Sequence, residues 1–479
     1  MHIRFVHTEF DALGIEHLSA VLKQAGHSTD LFFSFQRGYK WISKILKNSP
    51  DLIAFSVTSN NIEWAYAVAE QIKRHSCVPI VFGGIQATLI PEAVISKDFV
   101  DFVIVGEGEY ALLNLVEAIR KGDSFSSINS LYFKIKGKLF KNPLSGPINN
   151  LNELPFPDKE LCQGKGMFSD RYSIITGRGC VGACTYCCVP FLRKMYQGKG
   201  EFLRRRSPEN VIKELIMAKS KYNIKRVFFE DDLFTYDKKW LRTFADSYKR
   251  EITLPCILCA HPNFLDEEVV NLLKKIDCKI VEIGVQSLNE EIRLNILKRN
   301  YTNENLSKAL RLLRDNNICS IADNIVGLPG EEKEDILKMV RFYNEIRPGK
   351  VDIFYLKYYP GLEITKKSNL DPAMVEAISR GEISQLPIVE SDQNLYNSKL
   401  INRLLLVVSL MYVLPKKVIN FILDKNLYNF MPHFKSCYHI NEVAFYCSLI
   451  FRRRFHGAFI SLRGNLRNNA KFFIKQFLG

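Results

Sequence analysis

Cys180, Cys184 and Cys187 form a C-x3-C-x2-C pattern within Gly177-Arg178-Gly179-Cys180-Val181-Gly182-Ala183-Cys184-Thr185-Tyr186-Cys187. With 12 cysteines in 479 residues, such a three-position pattern should arise by chance only ~0.007 times, so the spacing asks for a chemical reason. Closely spaced thiolates on a glycine-rich loop can converge on one metal centre, and cysteine is the usual ligand of iron–sulfur clusters. Three ligands suit a four-iron cluster with one iron left open, and an open coordination position marks a reactive site rather than a structural one. The competing reading is a zinc knuckle completed by Cys188 or Cys162, but structural zinc favours paired C-x2-C units and no second pair is suitably placed. Cys256 and Cys259 have the pair spacing. They fall in the apolar, strand-like run 254–259, where residues three apart point to opposite faces. They and the isolated Cys77, Cys278, Cys319, Cys437 and Cys447 read as small core hydrophobes.

Two alternations of strand and helix must position this loop. Strand-like runs at 3–6, 30–35, 52–57, 79–82 and 102–105 are mostly apolar, as expected for strands buried on both faces of a parallel sheet. The helical stripe 14–25, with Leu18, Val21, Leu22 and Ala25 in phase, is closed by Gly26. Residues 1–140 are therefore predicted to form a five-strand, doubly wound α/β domain. Ligands of such sheets sit outside the carboxyl ends of the strands. Those ends carry Thr58-Ser59-Asn60, Gly83-Gly84-Ile85-Gln86-Ala87-Thr88 and Gly106-Glu107-Gly108-Glu109, and glycine there lets a ligand approach the backbone.

Residues 141–170, rich in Pro, Gly and Asn, read as a linker. Beyond it, strand-like runs at 172–176, 226–229, 255–259, 280–285, 320–326 and 353–356 alternate with helical runs at 208–221, 238–249, 267–275, 290–297, 303–315 and 332–345. That is six βα units over 171–365. In barrels of this kind the chemistry sits at the carboxyl ends of the strands. Here those ends hold Glu230-Asp231-Asp232, His261-Pro262-Asn263, Gln286-Ser287 and Gly327-Leu328-Pro329-Gly330-Glu331.

The cysteine motif, with the aromatic Tyr186 before its last cysteine, resembles the signature of the radical S-adenosylmethionine (SAM) superfamily, and the resemblance extends over about 165–365. Residues 1–140 resemble the cobalamin-binding domain that precedes many of its members, on Leu13-Gly14-Ile15-Glu16-His17-Leu18 and the two glycine segments just quoted. The group includes the anaerobic magnesium-protoporphyrin monomethyl ester cyclases. The resemblance implies a cobalamin-type parallel sheet followed by a partial (β/α)6 barrel, with a 4Fe-4S cluster on Cys180, Cys184 and Cys187. It implies SAM held by Tyr186, by Glu230 and Asp231 at the ammonium in place of the commoner Gly-Gly-Glu, by Gln286, Ser287 and Arg299, and by Ile325 at the adenine. Cobalamin would lie on Thr58, Ser59, Asn60, Gly83, Gly84, Gln86, Gly106 and Glu107. No D-x-H-x-x-G occurs, so cobalamin is expected without a lower-axial histidine from that motif. The family's G-x-I-x-G-x-x-E is matched in part, Asp323 standing for its first glycine and Glu331 one residue late.

The activity implied is reductive cleavage of SAM to a 5′-deoxyadenosyl radical, then methylation of an unactivated carbon of a small or lipid-like substrate. Ring formation or oxidation is the alternative within the family, and a non-catalytic cobalamin or iron–sulfur sensor is the alternative outside enzymes. A reductase, flavodoxin or ferredoxin would donate the electron. The superfamily branch that modifies transfer RNA carries three further N-terminal cysteines, whereas only Cys77 precedes the linker, so nucleic acid is not expected.

Composition, 47% hydrophobic and 24% charged, excludes disorder, and 12 cysteines over so long a chain argue against a disulfide framework. The net charge of +15 is uneven: residues 401–479 hold 12 Lys or Arg against Asp424 and Glu442, a net of +10. The longest apolar run there, 404–414, is 11 residues, about half of the ~20 that a span requires. Residues 366–479 are expected to be mainly helical (404–414, 418–423, 443–451) with Lys416-Lys417, Arg452-Arg453-Arg454 and Lys471. The plain reading is a helical cap on the barrel with a solvated basic face; the sharper one is peripheral contact with an anionic membrane. The N-terminus shows no charged n-region followed by an apolar h-region, so the expected location is cytoplasmic, at most peripheral to the inner face of the membrane.

Overall fold

The computed structural model describes residues 1–8, 12–33, 41–162, 170–368, 370–380 and 398–432, with 441, 444 and 445. Cys437, Cys447, Arg452-Arg453-Arg454, Lys471 and nearly all of the expected helix 443–451 lie outside the described residues. The chain divides into two compact units. One comprises Met1–Phe168, Val181–Arg206 and Lys357–Pro387; the other comprises Ser169–Cys180, Ser207–Leu356 and Ile388–Gly479.

In the first unit, β1 (His2–His7), β2 (Ser28–Phe33), β3 (Leu52–Ser56), β4 (Ile80–Gly83) and β5 (Phe102–Ile104) are parallel. The hairpin β6 (Leu131–Ile135) and β7 (Lys138–Lys141) extends the sheet antiparallel, giving the order β2-β1-β3-β4-β5-β6-β7. Seven strands therefore replace the five expected. The hairpin's lysine-rich run hides its alternation, and its turn rests on Lys136 and Gly137, both at positive φ, the primed-turn geometry that suits strand twist. Strands β3, β4 and β5 are apolar on both faces because helices cover both. Ile53 and Phe55 pack with α2 (Ile42–Leu46), α3 (Ile62–His75), α4 (Ile85–Leu89) and α5 (Pro91–Ile95). Leu52 and Ala54 pack with α1 (Leu13–Gln24) and α6 (Glu109–Lys121). This 2-1-3-4-5 order puts a topological switch between β1 and β3, where open α/β sheets bind ligands. The unit also holds α7 (Val189–Met195), α13 (Glu363–Lys366) and α14 (Pro372–Ser379).

In the second unit, β8 (Arg171–Ile174), β9 (Arg226–Phe229), β10 (Cys256–Ala260), β11 (Cys278–Gln286), β12 (Cys319–Val326) and β13 (Lys350–Tyr355) lie in sequential order, every neighbouring pair parallel. This is the singly wound partial barrel expected. The helices α8 (Pro208–Tyr222), α9 (Lys238–Glu251), α10 (Glu267–Lys275), α11 (Asn303–Asp315) and α12 (Lys333–Ile346) alternate with the strands. Ser207, Asp237, Asp266 and Thr302 cap four of them through side-chain oxygens, each satisfying an otherwise orphaned N–H. The C-terminal helices α15 (Ser398–Met411) and α16 (Lys416–Asp424) follow. Tyr412 and Phe445 pack with Ile257, Ile280 and Cys319, near the amino ends of their strands. The C-terminal region thus buttresses the end of this sheet away from the strand termini that carry polar residues.

Candidate functional site

The ligand end of the first sheet is built by hydrogen bonds between its loops. Ser59 Oγ donates to Gln86 Oε1 at 2.5 Å, and the Gly106 N–H donates to Thr88 Oγ1 at 3.0 Å. Gly84 has φ +92°, and a Cβ there would stand 2.7 Å from the Val57 nitrogen. Only glycine lets the β4 loop close onto the β3 loop in this way. Gln86 is fully buried, and its Nε2 has no hydrogen-bond partner among the described residues. A buried amide donor left unmade costs about 1–3 kcal/mol, so its persistence beside the switch point is what a ligand acceptor would explain. The expected Ser59, Gly83, Gly84, Gln86 and Gly106 are thus brought together. Thr58 and Asn60 bond within their own turn, the Asn60 N–H to Thr58 Oγ1 and the Thr58 N–H to Asn61 Oδ1.

Glu107 has a different duty from the ligand contact expected. Its carboxylate takes Arg204 in two bonds, 2.7 and 3.0 Å, and the Ile148 N–H at 2.7 Å, while its own N–H donates to Tyr196 Oη at 2.8 Å. Tyr196 and Arg204 follow the cysteine motif by 9 and 17 residues, and sequence reading missed both because their partner lies far upstream in the chain.

At the carboxyl end of the second sheet, Gln286 and Arg299 gather around Gly284. A Cβ on Gly284 would fall 2.6 Å from Gln286 Nε2 and 3.1 Å from an Arg299 terminal nitrogen. The register between β11 and β12 shifts between Gly284 and Gln286, and Gln286 sits at φ +72°. Such strain in a non-glycine residue persists where the surroundings dictate it, commonly at functional sites. Arg299 donates to the Gly284 carbonyl at 2.6 Å. Ile325 is half-buried on β12, one residue beyond the partner of Gln286. Glu230 accepts from Ser173 Oγ at 2.6 Å. At two expected SAM contacts the chain already supplies donors to one side-chain oxygen. Ser287 Oγ accepts the Asn289 N–H, and Asp231 Oδ1 accepts Thr176 N–H, Thr176 Oγ1 and Gly177 N–H. Arg293, unremarked in the sequence, is fully buried and donates to the carbonyls of Ser287 and Tyr301, fixing the turn that delivers Arg299.

Beside Gly284, in register with it on β12, stands Asp323. Burial, then the carboxylates of Glu282 and Asp352, push its pKa up to about 8, against the opposing pull of Lys350 and Arg299. Below about pH 4 the folded and unfolded chains both hold this proton. Between about pH 4 and 8 only the unfolded chain releases it, so folding loses stability as pH rises, and above that the penalty is complete. Asp323→Asn should therefore melt a few degrees above the parent at pH 8.5, with the difference shrinking steadily toward pH 5, in scanning calorimetry. A difference constant across pH would refute the assignment.

The ten described cysteines form no disulfide. Cys184 is buried, Cys180 and Cys187 half-buried. The Cys187 N–H donates to the Cys184 carbonyl at 3.2 Å, and the Val189 N–H donates to Cys187 Sγ at 3.5 Å; a donor on sulfur favours the thiolate that a metal requires. Cys180 ends the segment Ser169–Cys180 of the second unit, whereas Cys184, Tyr186 and Cys187 belong to the first. Among the described residues, no three His, Cys, Asp or Glu side chains are gathered so as to hold a metal ion. Cys162 is packed in the core of the first unit, its thiol pushed up by burial and by Glu16, and this speaks against its completing a zinc knuckle. Cys256 and Cys259 do diverge, the first bonding the Ile276 carbonyl and the second Glu282.

A sequence profile of the B12 binding domain matches residues 4–116, and one of the radical SAM superfamily matches 174–343. An uncharacterized methyltransferase of Pyrococcus horikoshii is 28% identical over 380 residues, 75% of this chain and 79% of the relative. The anaerobic magnesium-protoporphyrin IX monomethyl ester cyclase of Rubrivivax gelatinosus is 24% identical over 72% of this chain and 66% of its own. Among solved structures, the cobalamin-dependent SAM radical enzyme OxsB, with aqua-cobalamin bound, superposes with a TM-score of 0.66 over 95% of this chain and 76% of its own, at 17% identity. The radical SAM methyltransferase TsrM of Kitasatospora setae gives 0.62 over 76% of each chain, at 19% identity. At such identities the superpositions speak for the fold. The two profiles fall on the two sheets just described, the relatives are enzymes, and the non-catalytic sensor reading is dropped. The cofactors that go with these two domains are a 4Fe-4S cluster, SAM and cobalamin. The chain is an enzyme of the radical SAM superfamily that carries a cobalamin-binding domain ahead of its barrel.

Proposed function

We propose that the enzyme methylates an unactivated carbon of a small or lipid-like substrate, with a flavodoxin or ferredoxin as electron donor. The observation that carries this reading is the buried Gln86 donor at the carboxyl end of the first sheet, without a partner among the described residues, in the same chain as the three-cysteine loop. Cys180, Cys184 and Cys187, which are not gathered as metal ligands in this structure, would have to converge to hold the cluster. Gln286 and Arg299, packed over Gly284, would hold SAM, and Ser59, Gly84 and Gln86 would hold cobalamin. When bound, these groups supply one-electron chemistry and a transferable methyl group, which protein side chains cannot.

The chain's own work is positioning. Gly284 keeps the floor beside Gln286 and Arg299 free of a side chain, Arg293 fixes the turn carrying Arg299, and the Val189 N–H steadies the Cys187 sulfur. In the first unit, Glu107 and Arg204 tie the segment after the cysteines to the β5 loop. Gln86→Met, which keeps the volume and deletes the donor, should raise the Kd for hydroxocobalamin roughly 3- to 10-fold, the worth of one hydrogen bond. Absorbance titration of the apoprotein would show it, and an unchanged Kd would remove Gln86 from the site.

The reading is tested with anaerobically reconstituted enzyme, SAM labelled in its methyl group, and fractionated cell extract. Label appearing in a non-protein product, together with 5′-deoxyadenosine, is the expected outcome. A product that has lost hydrogens or gained a ring, with no label, would assign the enzyme to the cyclase and oxidoreductase side of its family.

A further inference from the structure

Twelve large apolar side chains stand exposed across the described residues, and five of them fall within positions 413–430: Val413, Val418, Phe421, Leu427 and Phe430, the last 85% exposed. Single exposed apolar residues are ordinary; a concentration of them marks a surface that meets something. The helix at its centre, α16, is firmly seated. Ile419, Ile422 and Leu423 are buried, and Asn344 of α12 donates to the Lys416 carbonyl and to Asn420 Oδ1 at 3.1 and 2.8 Å. At 100° per residue, Lys417, Val418, Phe421 and Lys425 then share the opposite, outward face.

The charges on that face are not cancelled among the described residues. Lys416 is paired with Glu345, and the acidic residue of the helix, Asp424, is taken by Arg341. Among the described residues neither Lys417 nor Lys425 is in an ion pair. The sequence from 401 to 479 carries a net +10. Cores of protein–protein interfaces are depleted in lysine, whereas aromatic residues interleaved with lysine on one face of a helix suit the boundary between phosphate headgroups and acyl chains. Among the described residues no helix is long and apolar enough to cross a membrane, so the helix would lie on the surface.

We infer that the outward face of α16 and the turn after it, with Lys417, Phe421, Lys425 and Phe430, docks the enzyme on an anionic lipid bilayer. Phe421 and Phe430 enter the acyl boundary, and the two lysines meet lipid phosphates. This docking is independent of the cofactors and of the reaction proposed above.

Sedimentation of the full-length protein with vesicles tests it. Phosphatidylcholine vesicles containing phosphatidylglycerol should bind about tenfold more protein than phosphatidylcholine alone. Most of that difference should vanish at roughly 1 M salt, where the screening length is ~3 Å. The double substitution Lys417→Glu and Lys425→Glu should lower binding about tenfold. Phe421→Ser with Phe430→Ser should lower it by a similar factor while leaving a salt-sensitive remainder. All four side chains are exposed, so circular dichroism and melting temperature should match the parent. Equal binding to both vesicle types, binding indifferent to salt, or variants that bind like the parent would each overturn the inference. So would absent vesicle binding with a dimer, seen by analytical ultracentrifugation, that the phenylalanine variant breaks.

Discussion

Alanine at Cys180, Cys184 or Cys187 should leave protein that folds, contains little iron, and releases no 5′-deoxyadenosine above background. With one of three thiolate ligands gone, the remaining two cannot retain a cluster that already has an open corner. The loss of turnover should be at least about 10⁶-fold, the lower end of the acceleration that enzymes supply. The fold should survive because each change deletes one sulfur atom from a loop. Cys184 is 8% exposed, and truncating so small a side chain costs about 1 kcal/mol, a typical single-substitution effect. Cys188→Ala and Cys259→Ala are the controls: Cys188 adjoins the motif and Cys259 bonds Glu282, and neither should change iron content. Chelation under reducing conditions should reproduce the alanine phenotype in the parent and be reversed by iron and sulfide. Stoichiometric zinc in anaerobically purified protein, lost in the same three variants, would replace the cluster with a structural knot and overturn the catalytic reading.

Part of the fold was legible in the sequence. Motif spacing, glycine after a strand and apolar runs are local signals, and local signals survive in one dimension. Gly83-Gly84 suggests room for a ligand at the backbone, whereas φ +92° at Gly84 serves a close approach of the chain's own Val57. The run 52–55 is apolar throughout because each face meets a helix layer, which is the signal of a buried parallel strand. What failed to show was long-range polar pairing. Glu107 sits at a strand end, looks like a ligand residue, and is bonded to Arg204, 97 positions away. Arg293 reads as one more surface arginine of a helix. Its helix is instead a π turn over Ile292–Ile296 that buries it against Tyr301, a distortion that periodicity cannot see. The β6–β7 hairpin was lost for a simpler reason, since its alternation is masked by lysines on its exposed positions.

Asp231 is the residue at which the two readings part, and Asp231→Ala should destabilise the protein by about 3–5 kcal/mol. The family resemblance implies that it is a partner for the SAM ammonium. In the structure it is 6% exposed, and one oxygen accepts Thr176 N–H at 3.0 Å, Thr176 Oγ1 at 2.9 Å and Gly177 N–H at 2.6 Å. Those donors lie at the end of β8, three and four residues before Cys180. Alanine leaves the buried Thr176 N–H and hydroxyl and the half-buried Gly177 N–H without an acceptor, at about 1–3 kcal/mol for each buried group. Against a domain stability of ~5–15 kcal/mol, the loss is large, and a unit of this size should melt about 2–4 °C lower for each kcal/mol. Asp231→Asn keeps an acceptor oxygen but gives up its charge, so roughly half of the effect should remain, bonds to a charged acceptor being about twice as strong as neutral ones. The ligand role predicts the opposite pattern for asparagine, a SAM Kd at least tenfold higher with an unchanged melting temperature. Denaturant titration and SAM binding on the same preparations decide between them. The bracing role expects asparagine to lower stability and leave SAM affinity within about threefold, and iron retention to fall with stability across the series as the loop before Cys180 loosens.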